Sequence, residues 1–166
     1  MNAIFKRSSV RQFTDEPVAI DDIERLMRAA MAAPSAGNQQ PWEFYIARDE
    51  TTRMALAATS PYAAPAKLAP CVIVACTRTD GLRFAPCAPL DMSAAVENIL
   101  LEAANIGLGA VWLGVAPDPH RMAAVAVALG SPRGVEPFAL VAVGHPAHRP
   151  EPKGPSRYDE TRVHWI

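Results

Sequence analysis

The chain has 166 residues, of which 50% are hydrophobic and 20% are charged, a balance typical of one soluble globular domain with a full core. Its formal net charge of −1 gives no reason to expect a nucleic-acid partner, and no apolar run is long enough to cross a bilayer. The N-terminal segment MNAIFKRSSVRQF lacks the apolar stretch of a secretory signal, so we expect a cytoplasmic, single-domain protein over 1–166.

Neither the cysteines nor the histidines predict a metal site. The chain has three cysteines, an odd number, and their spacing matches no zinc or iron–sulfur pattern. Cys71 and Cys76 flank the apolar run CVIVAC and are expected to be core thiols. Cys87 lies in a proline-rich loop, and no histidine is near it in the sequence to activate it as a nucleophile.

Hydrophobic spacing and turn signals predict helices and strands in alternation. Asp21 with Glu24 resembles a capping box, and Pro34 ends the helix that follows. Asp49 and Asp91 are predicted to cap two later helices. In chain order, the predicted elements are a helix at 2–6, a helix from 21 toward Pro34, a strand at 42–47, a helix at 49–58, a strand at 72–76, a helix at 91–106, a strand at 110–115, a helix at 120–129 and a strand at 137–144.

The order of these elements predicts the fold class. Two helices precede the first strand, so the chain does not read as a regular βαβ series. The pattern favours an α+β layered fold, in which a sheet carries helices on both faces. The segment 146–166 is rich in proline and has few apolar residues before Trp165 and Ile166, so we expect an extended tail that lies on its own subunit or on a partner.

Two segments carry side chains suited to ligand binding. Arg7-Ser8-Ser9-Val10-Arg11 places two guanidinium groups and two hydroxyls within five residues, a combination suited to phosphate, although a solvated basic turn has the same composition. In the loop from Pro34 to Trp42, consecutive Asn38, Gln39 and Gln40 offer hydrogen-bond donors and acceptors without net charge. Such a loop suits the edge of a planar heterocycle, although a hydrogen-bonded turn would also explain it.

Taken together, these two segments resemble the nitroreductase family. RSSVRQF matches its R-x-S-x-R-x-F element, and PSAGNQQPW matches its P-S-x-x-N-x-Q-P-W loop. The resemblance continues through a helix of the form D-x-x-x-A-x-x-N-x-L-L-x-A from Asp91, then through GLGAVWLG, VGHP and a basic tail. It implies a nitroreductase-like α+β fold with a central, mostly antiparallel sheet flanked by helices, and a homodimer that exchanges its C-terminal tails, residues 146–166.

The resemblance also implies FMN as cofactor, NAD(P)H as a transient co-substrate, and a flavin site shared between subunits. Arg7 and Ser9 would hold the phosphate and ribityl chain with a contact from Ser8, and Arg157 would close on the phosphate. Arg11 would lie at the pyrimidine edge of the ring, where a fixed cation favours reduced flavin. The residues implied to lie along the ring are Pro34, Ser35, Ala36, Asn38 and Gln40 from the partner's loop, and Leu113 and Gly114 through backbone N–H groups.

The implied reaction is a ping-pong reduction of nitroaromatic, quinone or related small acceptors. The chain has no P-loop, and its G-x-G follows a predicted helix with Trp112 at the third glycine position, so no permanent nucleotide site is expected. Two alternatives stay open: an FMN-binding protein without turnover, acting as a store or sensor, and a flavin-dependent dehalogenase or oxygen-using relative. No role is assigned to Lys67 or Cys87, and Lys153 is only a possible companion of Arg157.

Overall fold

A four-stranded antiparallel sheet forms the centre of the computed structural model, which describes residues 3–148 and 157–166. The strands are β1 (Trp42–Ala47), β2 (Cys71–Arg78), β3 (Gly109–Gly114) and β4 (Val135–Gly144). They lie in the order β1-β2-β4-β3, and each neighbouring pair is antiparallel. The two central strands are apolar on both faces, and Cys71 to Cys76 are all buried. This arrangement confirms the predicted antiparallel sheet.

Helices cover both faces of the sheet, which confirms the α+β layered class. They are α1 (Ala3–Lys6), α2 (Ile20–Met31), α3 (Glu50–Ala57), α4 (Pro65–Leu68), α5 (Ala88–Asn105) and α6 (Pro119–Ala128). On one face, α2 and α5 pack against the sheet through residues such as Leu26 and Ile99. On the other face, Leu56 of α3 and Val125 of α6 form a second apolar cluster with the strands. The sheet is therefore a shared wall between two cores.

The predicted helix starts are partly wrong. Asp49 does cap α3, because its carboxylate accepts a hydrogen bond of 2.8 Å from the Thr52 N–H. By contrast, α2 begins at Ile20 after Ala19 without a side-chain cap, so Asp21 lies inside the first turn. The helix α5 begins three residues before Asp91, with Pro89 in its first turn, where a proline is preorganised for a helix start. Asp91 is therefore not a cap, and its carboxylate has another role.

The basic N-terminal segment is attached to the open edge of β3. Ser9 forms a parallel bridge with Ala110, and the Val10 N–H donates to the Ala110 carbonyl over 3.0 Å. The Val10 side chain fills the space above Gly109, where an added Cβ would lie 2.7 Å from Val10 Cγ1. Farther along, the Thr14 N–H donates to the carbonyl of a residue just after β4 over 2.9 Å. The segment is thus fixed at the beginning of one strand and the end of its neighbour.

Only part of the C-terminal tail belongs to the described residues. Pro146 pairs with Phe13 in an isolated antiparallel bridge, so the tail leaves β4 beside the N-terminal segment. Residues 157–166 are exposed in a single chain, and Trp165 is 93% exposed. Exchange of the tail between subunits and the extent of the single domain both stay predictions. No helix within 3–148 or 157–166 is long and apolar enough to cross a membrane.

Candidate functional site

The Arg7–Arg11 turn presents its polar groups outside the sheet. Arg7 Nε lies 3.4 Å from Glu97 Oε1 of α5, and the Arg7 side chain is 20% exposed. Arg11 is exposed, and its Nη1 donates to the Ser9 carbonyl over 3.3 Å. Within the described residues, the hydroxyls of Ser8 and Ser9 make no hydrogen bond. The turn therefore combines two cations with two hydroxyls that have unused hydrogen-bonding capacity.

The amide-rich loop, residues 35–40, has an unusual backbone. Gly37, Asn38 and Gln40 all have positive φ, at 56°, 55° and 47°. Asparagine tolerates this left-handed region better than most residues, whereas glutamine enters it at a cost. The loop is stabilised in part by its own groups, since the Gln40 N–H donates to Ser35 Oγ over 3.0 Å and the Gln40 amide donates to Asn38 Oδ1 over 3.3 Å. Pro34 is exposed at its beginning.

An arginine on the sheet supports the C-terminal end of this loop. Arg78 Nη2 donates to the carbonyl oxygens of Gln39 and Gln40 over 2.9 and 3.0 Å. The Arg78 backbone N–H also donates to the Pro41 carbonyl over 2.7 Å, at the end of β2. The end of the loop at Gln40, where φ is positive, is therefore supported by contacts with a strand that is far away in sequence.

Asp91 supports the N-terminal end of the loop. Its Oδ1 accepts from the Ala36 N–H over 3.0 Å, and its Oδ2 accepts from Gln39 Nε2 over 2.7 Å. Asp91 is only 6% exposed and is the single buried charged residue within the described ranges. Sequence reasoning missed this role because a carboxylate near a helix start suggested a cap. The available signal was its position beside Met92, on the apolar face of the predicted helix.

The far end of β3 supplies two further predicted site residues. Leu113 is buried and Gly114 is exposed at the end of the strand, while Ser9 lies beside its beginning. The Gly114 carbonyl accepts from Arg121 Nη1 over 3.4 Å. Because Ser9 is bridged to Ala110 near the beginning of β3 and Gly114 ends that strand, the strand sets the separation between Ser9 and Gly114.

Within one chain, the structure does not join all the predicted site residues. The basic turn reaches α5 at Glu97 and the amide loop reaches it at Asp91, about 9 Å apart along the helix axis. No hydrogen bond or ion pair connects the two segments in the described part of a single chain. Arg157 is exposed, and Lys153 lies outside the described residues. The assigned roles of these residues stay predictions.

A cleft of about 920 Å³ lies next to the N-terminal segment. Its walls include residues 12–15, the segment that follows β1, the first part of α3 with Arg53, and the end of α4 with Lys67. Arg53 Nη1 donates to the Ala69 carbonyl over 2.6 Å, whereas its buried Nε has no partner. Acidic and basic side chains both line the cleft, so its charge does not favour one class of ligand.

Two of the three cysteines, Cys71 and Cys76, are buried core thiols, as expected. Burial raises the pKa of Cys71 to about 11 and that of Cys76 to about 12, so both stay protonated at neutral pH. Cys87 is half-buried and immediately precedes α5. No group of histidine, cysteine or acidic side chains suited to a metal ion occurs within the ranges that the structure describes.

Comparisons with known proteins agree with this fold. A relative from Archaeoglobus fulgidus, named “Putative NADH dehydrogenase/NAD(P)H nitroreductase”, is 35% identical over 99% of this chain and 95% of its own length. A solved structure from Clostridium acetobutylicum has a TM-score of 0.93 and 40% identity, and the match covers 98% of each chain. A Desulfovibrio desulfuricans structure in complex with FMN has a TM-score of 0.82 and 30% identity, covering 99% of this chain and 95% of that one. The sequence also matches the Nitroreductase family over residues 4–68 and 61–145, and the chain belongs to that family.

Proposed function

We propose that this chain is an FMN-dependent oxidoreductase that uses NAD(P)H to reduce small electron acceptors. The observation that carries the proposal is the placement of the Arg7–Ser9 turn at the beginning of β3 and of Leu113–Gly114 at its end. One strand thereby places a phosphate-binding group of side chains at its beginning and, farther along, the backbone of Leu113–Gly114, which is proposed to meet the ring. The FMN-bound relative from Desulfovibrio desulfuricans supports the choice of flavin.

The donors at the turn fit a phosphate monoester. Arg7 supplies a guanidinium for bidentate contact, and Ser8 and Ser9 supply hydroxyls that have no other partner among the described residues. The exposed Arg157 would close on the phosphate from the C-terminal tail. A ligand with a doubly charged phosphate would compete with Glu97 for Arg7, because both are anions within reach of the same guanidinium.

Arg11 would stabilise the reduced state of the cofactor. When bound, FMN supplies the redox chemistry, accepting a hydride from NAD(P)H and passing the reducing equivalents to the acceptor. Arg11 lies four residues after Arg7 and is exposed, so its charge can face the pyrimidine edge of a ring whose phosphate is held by the turn. A fixed cation there favours the additional negative charge of the reduced form.

The site is completed by a second copy of the chain. The amide loop is exposed and polar, and the two supports at Asp91 and Arg78 fix it before any ligand arrives. In the proposed homodimer, this loop covers the ring held by the partner, and the tails cross between subunits. The loop residues that line the ring are Pro34, Ser35, Ala36, Asn38 and Gln40.

Turnover proceeds by a ping-pong mechanism in the cytosol. NAD(P)H and the acceptor use one pocket in turn, which fits a chain whose glycine patterns offer no separate nucleotide site. Nitroaromatics, quinones and enone-like metabolites are the candidate acceptors. The free thiols of Cys71 and Cys76 fit a reducing compartment.

Anaerobic reduction tests this proposal. The purified protein is expected to be yellow, or to become so with FMN, and to bleach when NADH or NADPH is added without oxygen. Addition of a nitroaromatic or quinone should restore the colour. Colour that neither nucleotide bleaches would indicate an FMN-binding protein without this activity, and a colourless protein that cannot be reconstituted would overturn flavin binding altogether.

A further inference from the structure

The Gln39 side chain connects three separate segments of the chain. Its Nε2 donates to Asp91 Oδ2 over 2.7 Å and to the Phe84 carbonyl over 3.1 Å, so both amide hydrogens are used. Its Oε1 accepts from the Phe84 N–H over 2.9 Å. The amide therefore binds both backbone groups of Phe84, as a paired strand would, while it is anchored to α5 through Asp91.

Asp91 sets the orientation of that amide. A carboxylate is only an acceptor, so it requires Nε2 and not Oε1 to face it. Rotating the Gln39 amide by half a turn would place two oxygens against each other at Asp91 and two nitrogens against each other at the Phe84 N–H. Because Asp91 is buried, the penalty for such a mismatch is large. The Gln39 side chain is thus held in one orientation.

Because Gln39 binds the backbone of Phe84, it also positions the Phe84 ring. The ring lies directly over Gly37, where an added Cβ would collide with Phe84 Cε2. It is 37% exposed, and the Arg83 guanidinium lies 5.1 Å from its centroid. An exposed aromatic ring therefore lies against the loop that contains Asn38, next to the groups proposed to line the flavin.

We propose that Gln39 is a positioning residue that fixes Phe84 as one wall of the pocket in which a planar aromatic acceptor binds. This inference rests on the proposed function, because it takes the amide loop to lie beside the flavin of the partner subunit. Stacking against Phe84 favours flat acceptors such as nitroaromatics and quinones over compact inorganic oxidants. Gln39 acts through Phe84 and does not itself touch the acceptor.

The test compares the KM values of two kinds of acceptor in the holoenzyme. For Phe84→Leu we expect the KM for a nitroaromatic or quinone to rise by roughly 3- to 10-fold, with the KM for ferricyanide changed less than about twofold. Phe84→Tyr keeps a ring and should retain wild-type KM values. Gln39→Leu removes the hydrogen bonds to Phe84 and should reproduce the Phe84→Leu pattern, with the double variant no worse than either single one.

Tyr62 offers a matched control. It is also an exposed aromatic residue beside an arginine, with the Arg121 guanidinium 5.3 Å from its ring centroid, and no contact joins it to the amide loop within the described residues. Tyr62→Leu should leave both KM values unchanged. Equal KM changes for all acceptors in Phe84→Leu, or the same pattern in Tyr62→Leu, would overturn the inference. Failure of the wild-type protein to bind FMN or to bleach with NAD(P)H would instead contradict the proposed function.

Discussion

Arg7 Nε and Glu97 Oε1 lie 3.4 Å apart, which places a carboxylate against the guanidinium proposed to bind phosphate. The Glu97 side chain is 47% exposed, so it can move away when a stronger anion arrives. Glu97→Gln removes the competing charge and keeps the shape, and we expect FMN to bind roughly two- to fivefold more tightly, the range of one exposed ion pair. Titration of the apoprotein, followed by quenching of flavin fluorescence, measures the change.

The control for this variant is on the same helix. Glu102 of α5 pairs with Arg25 Nη2 over 2.9 Å, away from the basic turn, so Glu102→Gln should leave the FMN dissociation constant unchanged. Arg7→Gln should act in the opposite direction, with binding weaker by about 1–3 kcal/mol for the lost charge-assisted contact. Tighter binding in Arg7→Gln, or none of these changes, would remove Arg7 from the phosphate site.

Arg11→Gln should lower the reduction potential of the bound flavin. A cation at the ring edge stabilises the reduced form, so its loss is expected to shift the potential by about 20–60 mV to more negative values. Phosphate anchoring by Arg7 should be largely retained. Spectroelectrochemical titration of the holoprotein measures the potential. Arg28→Gln serves as the control, because it removes a cation from α2 whose side chain is 82% exposed. An unchanged potential in Arg11→Gln would refute the placement of Arg11.

The close approach of Val10 to Gly109 predicts that a substitution at Gly109 is destabilising and that a second substitution, at Val10, reverses the defect. Gly109→Ala places a Cβ 2.7 Å from Val10 Cγ1, so the N-terminal segment must move away from β3. We expect weaker FMN binding and a loss of stability of about 1–3 kcal/mol, typical of overpacking. Adding Val10→Gly should restore much of both, because it removes Cγ1, Cγ2 and Cβ of Val10, the three atoms that the added Cβ would meet within 3.0 Å. Absence of rescue in the double variant would show that Gly109 acts for another reason.

The two buried thiols predict a loss of stability at alkaline pH. In the unfolded chain they ionise near the ordinary cysteine pKa of 9.0, whereas burial raises the pKa of Cys71 to about 11 and of Cys76 to about 12 in the folded chain. Between pH 9 and about 12, the thiols of the unfolded chain bind fewer protons than those of the folded chain, so the free energy of unfolding falls as the pH rises. Below pH 9 the thiols are protonated in both states, and the free energy of unfolding does not depend on them.

Urea unfolding between pH 8 and 10.5 measures that slope. Cys76→Ala should make the decrease with pH shallower, even if the cavity lowers the stability at every pH. Cys87→Ala is the control, since Cys87 is only half-buried and precedes α5 at the protein surface. The same slope in Cys76→Ala as in the parent chain would show that burial of this thiol does not govern the pH dependence.

Local patterns were sufficient for the elements whose boundaries depend on neighbouring residues. The strand β1 matches the predicted 42–47, and the Asp49 cap involves an N–H only three residues away. Asp91 failed as a predicted cap because its hydrogen-bond partners, Ala36 and Gln39, are more than fifty residues away in the sequence. Helical periodicity places Asp91 on the apolar face of its helix, but neither periodicity nor capping rules identify partners so far away in the sequence.

For the candidate site, too, local sequence patterns were informative and long-range contacts were not predicted. The resemblance to the nitroreductase family identified the turn and the loop, but not what supports them. Arg78 binds the carbonyl oxygen of Gln40, a residue with positive φ, but a sequence pattern on β2 presents Arg78 only as a polar residue at a strand end. The role of Gln39 was also missed, because an amide in a polar loop gives no sign that it binds both backbone groups of Phe84.

The strand β3 also bears on which flavin the chain can accept. Ser9 stands opposite Ala110, and Gly114 is four residues farther on, so the two anchors are about 13 Å apart at about 3.3 Å per residue. Pairing with β4 along the whole strand prevents this spacing from changing. In the proposed site, this fixed spacing would select ligands by length: riboflavin would reach the ring end but offer Arg7 no phosphate, and the adenylate half of FAD would have to find room beyond Arg7.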